Sequence, residues 1–127
     1  MKKTMTLNLS TEEMALLEQL VRKDQIILAP AELDLILELR RHIAEEGWTA
    51  EHDDQHAGGE MAVAAAAYAA EAAAPEDDRD PANPPDYWPW DPSWWKSTTR
   101  RRDLEKAASL CVAEMKRLDR AAARAAG

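Results

Sequence analysis

Apolar positions recur at helical intervals in four places along the chain, and nowhere alternate in the manner of a strand. Ser10 followed by Glu13 has capping-box spacing, and Met14, Leu17, Leu20 and Val21 continue the pattern, which predicts a first helix over about 11–23. Pro30 suits the first turn of a second helix ending near Gly47. On it Leu33, Leu35, Ile36, Leu37, Leu39, Ile43 and Ala44 cover about half the circumference, an arc wide enough for two neighbours. Arg40 falls in the middle of that arc and calls for a carboxylate, a ligand or a path to water. Residues 48–59 read as a loop or a broken first turn. From Glu60 to Ala74 the chain is predicted helical: ten of the fourteen residues 61–74 are alanine, and only Glu71 interrupts an apolar circumference, the pattern of a central helix. A last helix starts near Thr98 or Thr99, with Leu104, Ala107, Ala108, Cys111, Met115 and Leu118 on one face.

Between the third and fourth patterns the composition changes abruptly. Residues 75–92 hold six of the seven prolines, and "DYWPWDPSWWK" (86–96) holds four of the five tryptophans in a chain without phenylalanine. No helix can run through such a segment, and a loop of this length in a small domain is functional or partly disordered. Alanine leaves shallow grooves that indole rings can fill, each burying roughly 150–250 Å². The fold class expected is therefore all-α, about four helices, with a long Pro/Trp-rich loop (75–97) packed on an Ala-rich central helix. At 127 residues one helical domain, 1–127, is expected, with 1–37 as an N-terminal helical extension and 38–121 as the core.

Charge narrows the partners. The net charge of −8 argues against direct nucleic-acid binding and against anionic membrane surfaces. It is unevenly spread: residues 96–127 carry nine Lys/Arg against four Asp/Glu, and the remainder seven against twenty. A basic last helix can thus pack on acidic neighbours or offer its positive face to an anion. The single cysteine, Cys111, reads as a small core residue in a reducing compartment, and neither a signal peptide nor a membrane span is evident, so a cytoplasmic location is expected.

Two polar constellations carry candidate chemistry. His52, His56 and Glu60 are four residues apart, which would align them on one helix face as metal ligands; Asp53 with His56 and Glu60 is the alternative subset, and its carboxylates favour magnesium or manganese over zinc. A divalent metal is the cofactor this would imply. Hydrogen bonding within the loop, or plain solvation, would explain the same residues. Lys96 with Arg100, Arg101 and Arg102 places cations at a helix start, where the backbone disfavours them; a phosphate would offset that, and so would Asp103, Glu105 and the acidic 76–80 segment. Arg100 projects toward the apolar face, and Glu114 at its edge could pair with Arg40 or approach the His/Asp cluster. Nucleophilic catalysis finds little support: Ser109 has no evident base and no GxxxxGK[ST] phosphate loop occurs.

"EEGWTAEHDDQHAGGEMAVAAAAYA" and "WPWDPSWWKSTTRRRDLEKAASLCVAEMKRLDRA" resemble a recurring type of small phage- and prophage-encoded helical protein of unassigned function, over about residues 38–121. The likeness is carried by Gly47, Trp48, His52, Asp53, His56, Glu60, Tyr68, Trp88, Trp90, Lys96, Arg102, Lys106 and Glu114. His42 stands where such proteins carry glutamine, and Ser97-Thr98 replaces a proline-containing turn. The resemblance implies phage origin and action in the host bacterial cytoplasm. A weaker similarity, to helical nucleotide pyrophosphohydrolases, lacks their motif: Glu45-Glu46 has no glutamate three residues on, and Glu114 and Asp119 are wrongly spaced.

The expectation is a non-enzymatic accessory protein that binds a nucleotide-type or other phosphorylated ligand of host defence, using Trp48, Tyr68, Trp88, Trp90, Lys96, Arg100 and Arg102. Two alternatives stay open. One is a metal-dependent nucleotide phosphohydrolase with His52, Asp53, His56 and Glu60 at the ion. The other is an acidic inhibitor of a host defence protein complex, comparable to anti-CRISPR proteins. Homo-oligomerisation is compatible with each, since one chain's short elements need not cover the Ala-rich helix.

Overall fold

Proline has no amide hydrogen to lose and a φ already near the helical value, and Pro30 duly opens α1 (Pro30–Ala44). The structure, a computed structural model, describes residues 10–15, 28–44 and 47–127, and every regular element among them is helical. The chain divides into two units, Met1–Pro30 and Ala31–Gly127. The division lies in the first turn of α1, ahead of the 37/38 boundary that the sequence suggests. In the first unit the capping box forms as expected: the Ser10 hydroxyl accepts from the Glu13 amide at 3.1 Å, and the Glu13 carboxylate accepts from the Ser10 amide at 3.2 Å. Residues 11–15 are helical; the rest of the helix expected to 23, and Glu45-Glu46, lie outside the described residues.

In the second unit, Gly47 (φ +69°) turns the chain after α1 so that the Trp48 amide donates to the His42 carbonyl at 2.9 Å. The stretch expected as a loop or broken turn contains a short helix, α2 (Ala50–Asp54), whose N-cap Thr49 accepts from the His52 amide. Gly59 (φ +88°) then admits the chain to α3 (Glu60–Ala73). The long connector follows, shaped by single 3-10 turns at Glu76–Asp78 and Pro92–Trp94, and Thr99 caps α4 (Arg100–Ala126) by accepting from the Arg102 amide at 3.1 Å.

Alanine allows α3 and α4 to approach closely, and the tryptophans fill what alanine leaves. Met61, Ala64, Ala65, Ala67 and Tyr68 of α3 meet Ala107 and Leu110 of α4, with Trp88 and Trp95 laid in from the connector. The Trp95 ring stacks on Tyr68 at 4.7 Å, and Trp88 stands edge-on to both, at 5.0 and 5.4 Å. Both indole N–H groups find carbonyls, Trp88 at Asp91 and Trp95 at Pro81, while the Tyr68 hydroxyl accepts from the Lys96 amide. The aromatic loop is thus packed on the Ala-rich helix, as its composition suggests.

Two faces differ from expectation. Helix α3 is buried on one side only: Ala62, Ala66, Ala69, Ala70 and Ala73 are exposed. On α4 the apolar stripe faces outward, with Leu104 53%, Met115 61% and Leu118 53% exposed and Cys111 exposed rather than in the core. The buried residues of α4 are Asp103, Ala107, Ser109, Leu110, Glu114 and Arg117. Their polar members are satisfied in place. Asp103 accepts from Arg79, Ser97 and Thr98, and Glu114 from Arg117 rather than from Arg40 or the histidines. On α1 the buried polar side chains are Glu38 and His42, and Arg40 is half-buried.

Carboxylates from three places balance the arginines at the α4 start. Arg100 pairs with Glu76 and also donates to the Ala72 carbonyl, Arg101 pairs with Asp34 and Glu105, and Arg102 with Glu38 and Glu105. Farther along, Arg120 and Arg124 hold Asp54 of α2. The exposed pairs contribute well under about 1 kcal/mol each; their role is to set where α1 and α2 lie against α4. No helix among the described residues is long and apolar enough to cross a membrane.

Candidate functional site

One face of α4 forms the floor of a cavity of about 810 Å³. Arg102, Lys106, Leu110, Ala113, Lys116 and Arg120 recur every three or four residues along it, so their side chains emerge in a row. Walls come from α1 (Glu38, Arg41, His42), from Trp48 and α2 (His52, Asp53), from Met61 and Tyr68 of α3, and from Trp88, Trp90, Trp94 and Lys96 of the connector. The volume lies within the range of small-molecule sites.

Rings run round the wall in contact. His42 meets Trp48 at 4.6 Å; Trp48 and His52 lie within 8° of parallel at 6.3 Å; His52 meets His56, and His56 meets Trp90, each at 5.2 Å. Trp90 closes on Trp88 at 5.4 Å, which joins this arc to the Tyr68–Trp95 stack of the core. All three histidines of the chain are in the arc. The Trp90 indole nitrogen is buried there without a hydrogen-bond partner.

The charge of the cavity opposes that of the chain. In a protein of net −8 the lining holds six Lys/Arg side chains against three carboxylates, Glu38, Asp53 and Asp91. Glu38 receives Arg41 at 2.8 Å, His42 at 2.9 Å and Arg102 at 2.7 Å. Burial alone would raise its pKa; the hydrogen bonds from Arg41 and Arg102 outweigh burial and hold it at about 2, against an ordinary 4.5. Lys106 lies over the Tyr68 ring at 5.6 Å and donates to the Lys96 carbonyl; burial first, then the neighbouring Arg102, lowers its pKa. Burial likewise pushes the Asp53 carboxyl up, more than His52 and Arg120 pull it down.

Glu38 makes stability depend on pH. Its folded-state pKa is depressed, so its contribution is complete above about 4.5 and disappears as the pH falls through about 2. Urea denaturation between pH about 5 and about 2 is expected to show this loss, and Glu38→Gln to flatten the same pH profile.

Of the residues singled out by sequence, Trp48, Tyr68, Trp88, Trp90, Lys96 and Arg102 line the cavity, as do His52, Asp53 and His56. Arg100 does not, because Glu76 and the Ala72 carbonyl hold it elsewhere. Glu60 lies behind His56, its carboxylate 3.3 Å from the ring nitrogen. Among the described residues no group of three or more His, Cys, Asp or Glu side chains is arranged to hold a metal ion. Glu38, Trp94, Lys116 and Arg120 are additional cavity residues; the spacing from Arg102 to Arg120 was the available signal for the last two. No protein family, no curated protein and no solved structure matches this chain.

Proposed function

We propose that the protein binds a small phosphorylated molecule carrying a nucleobase-type ring, in the cavity above α4. The observation that carries this reading is the reversal of charge: a chain of net −8 gathers six cations around a ring-lined hollow. Phosphate is matched by lysine and arginine donors, and a planar base by indole and imidazole faces. Asp53 and Glu38 temper the positive field. On the resemblance to phage-encoded proteins, the reading extends to sequestering a nucleotide-type ligand of host defence.

Titration calorimetry with ATP in low-salt buffer tests it. Heat of binding is expected, weakening with added salt and about tenfold or more on Trp90→Ala, since stacking on a base is worth about 1–3 kcal/mol. Lys116→Gln, at an exposed position, should weaken binding without disturbing the fold. Asp53→Asn should strengthen it several-fold, because a carboxylate that burial already disfavours no longer faces the phosphate. Absence of heat at millimolar concentrations of mono- and dinucleotides alike would overturn the reading.

A further inference from the structure

We infer that the ligand is a molecule of two nucleotide units, with bases and phosphates distributed along it, rather than a mononucleotide; this rests on the binding function proposed above. The cations of the floor are not one cluster. Arg102 and Lys106 stand at one end of the α4 row and Lys116 and Arg120 at the other, with Leu110 and Ala113 between them. At 1.5 Å per residue, the Cα atoms of Lys106 and Lys116 are about 15 Å apart and those of Arg102 and Arg120 about 27 Å.

Contacts at each end confirm that the two sets belong to different parts of the wall. Arg102 is bound to Glu38 of α1, and Lys106 sits over Tyr68 and on the Lys96 carbonyl. Arg120 is bound to Asp54 of α2 and approaches the Ala50 carbonyl. The rings are likewise not one cluster: three successive contacts of 6.3, 5.2 and 5.2 Å lead from Trp48 through His52 and His56 to Trp90, so indoles stand at both ends of this arc.

A mononucleotide has one ring and one run of phosphates. It can engage one cationic end and one indole, leaving the exposed lysine of the other end, Lys96 or Lys116, without an anionic partner. Two nucleotide units supply a second ring and a second phosphate, and the flexible lysine side chains shorten the span those phosphates must cover. Lys96 and Lys116, one at each end, carry no ion pair among the described residues, and each is exposed.

The test compares AMP, ATP and the linear dinucleotide pApA by titration calorimetry on the full chain. Joining two engaged units makes the second contact intramolecular, so pApA is expected to bind at least about 100-fold more tightly than AMP. It should also bind more tightly than ATP, which carries comparable charge but one base. Lys96→Gln and Lys116→Gln should each weaken pApA about tenfold, the loss of one charge-assisted contact, with unchanged thermal melts. If pApA binds no more tightly than AMP or ATP, or if only one of the two lysines matters, the two-unit inference is overturned while nucleotide binding stands. If none of the three binds, both fall.

Discussion

Asp103→Ala is expected to lower the unfolding free energy by about 3–5 kcal/mol, a large share of what a domain of this size possesses. Asp103 is fully buried and accepts from the Arg79 guanidinium at 2.8 Å, the Ser97 hydroxyl at 2.7 Å and the Thr98 amide at 2.9 Å. Removing it strands Arg79, whose side chain is itself buried, and leaves two further donors unpaired at the start of α4. Asp103→Asn keeps the size and one acceptor, and should fall between wild type and alanine. Urea midpoints at unchanged slope would measure the loss. A change of less than about 1 kcal/mol would show that the Arg79 charge is balanced by Glu71 instead, which lies at 3.6 Å.

The second large effect is expected at Trp95, where alanine should cost about 3–5 kcal/mol. Trp95 is the deepest anchor of the connector: its ring covers Tyr68, its edge meets Trp88, and its N–H reaches back to the Pro81 carbonyl at 2.9 Å. Truncation opens a space beside alanines that have no side chain to move into it, so the cavity term is not relieved by repacking. Trp95→Phe retains most of the stack and loses the hydrogen bond, and should cost about 1–2 kcal/mol. Because Trp95 and Asp103 both hold the segment that presents Lys96, the double variant is expected to be non-additive.

These helical spans were legible because each has local signals independent of tertiary context: Pro30 and Gly47 bracket α1, and Glu60–Ala73 and Arg100–Ala126 begin within a residue or two of their expected starts. The connector was legible from its prolines, and the partnership of indoles with alanines from their sizes. The inner face of α4 was not. Hydrophobicity points to Leu104, Cys111, Met115 and Leu118, whereas the packed face holds Asp103, Glu114 and Arg117, whose burial depends on partners up to 24 residues away. Within the site, single residues of unusual type were visible: Trp48, Trp90, His52, His56 and Lys96. Glu38 and Arg120 were not, since an ordinary charged residue on a helix becomes a cavity wall only through what stands opposite it.

Contact among the rings of Trp88, Trp90 and Trp95, at 5.0 and 5.4 Å, has an optical consequence. Chromophores this close share excitation, so the near-ultraviolet dichroism of the protein should carry an exciton couplet, and light absorbed by one indole should be emitted from another. Trp90 belongs both to that coupled set and to the cavity wall. An occupant settling against it would alter emission from the whole set, giving the unlabelled protein an intrinsic readout of whether its hollow is filled.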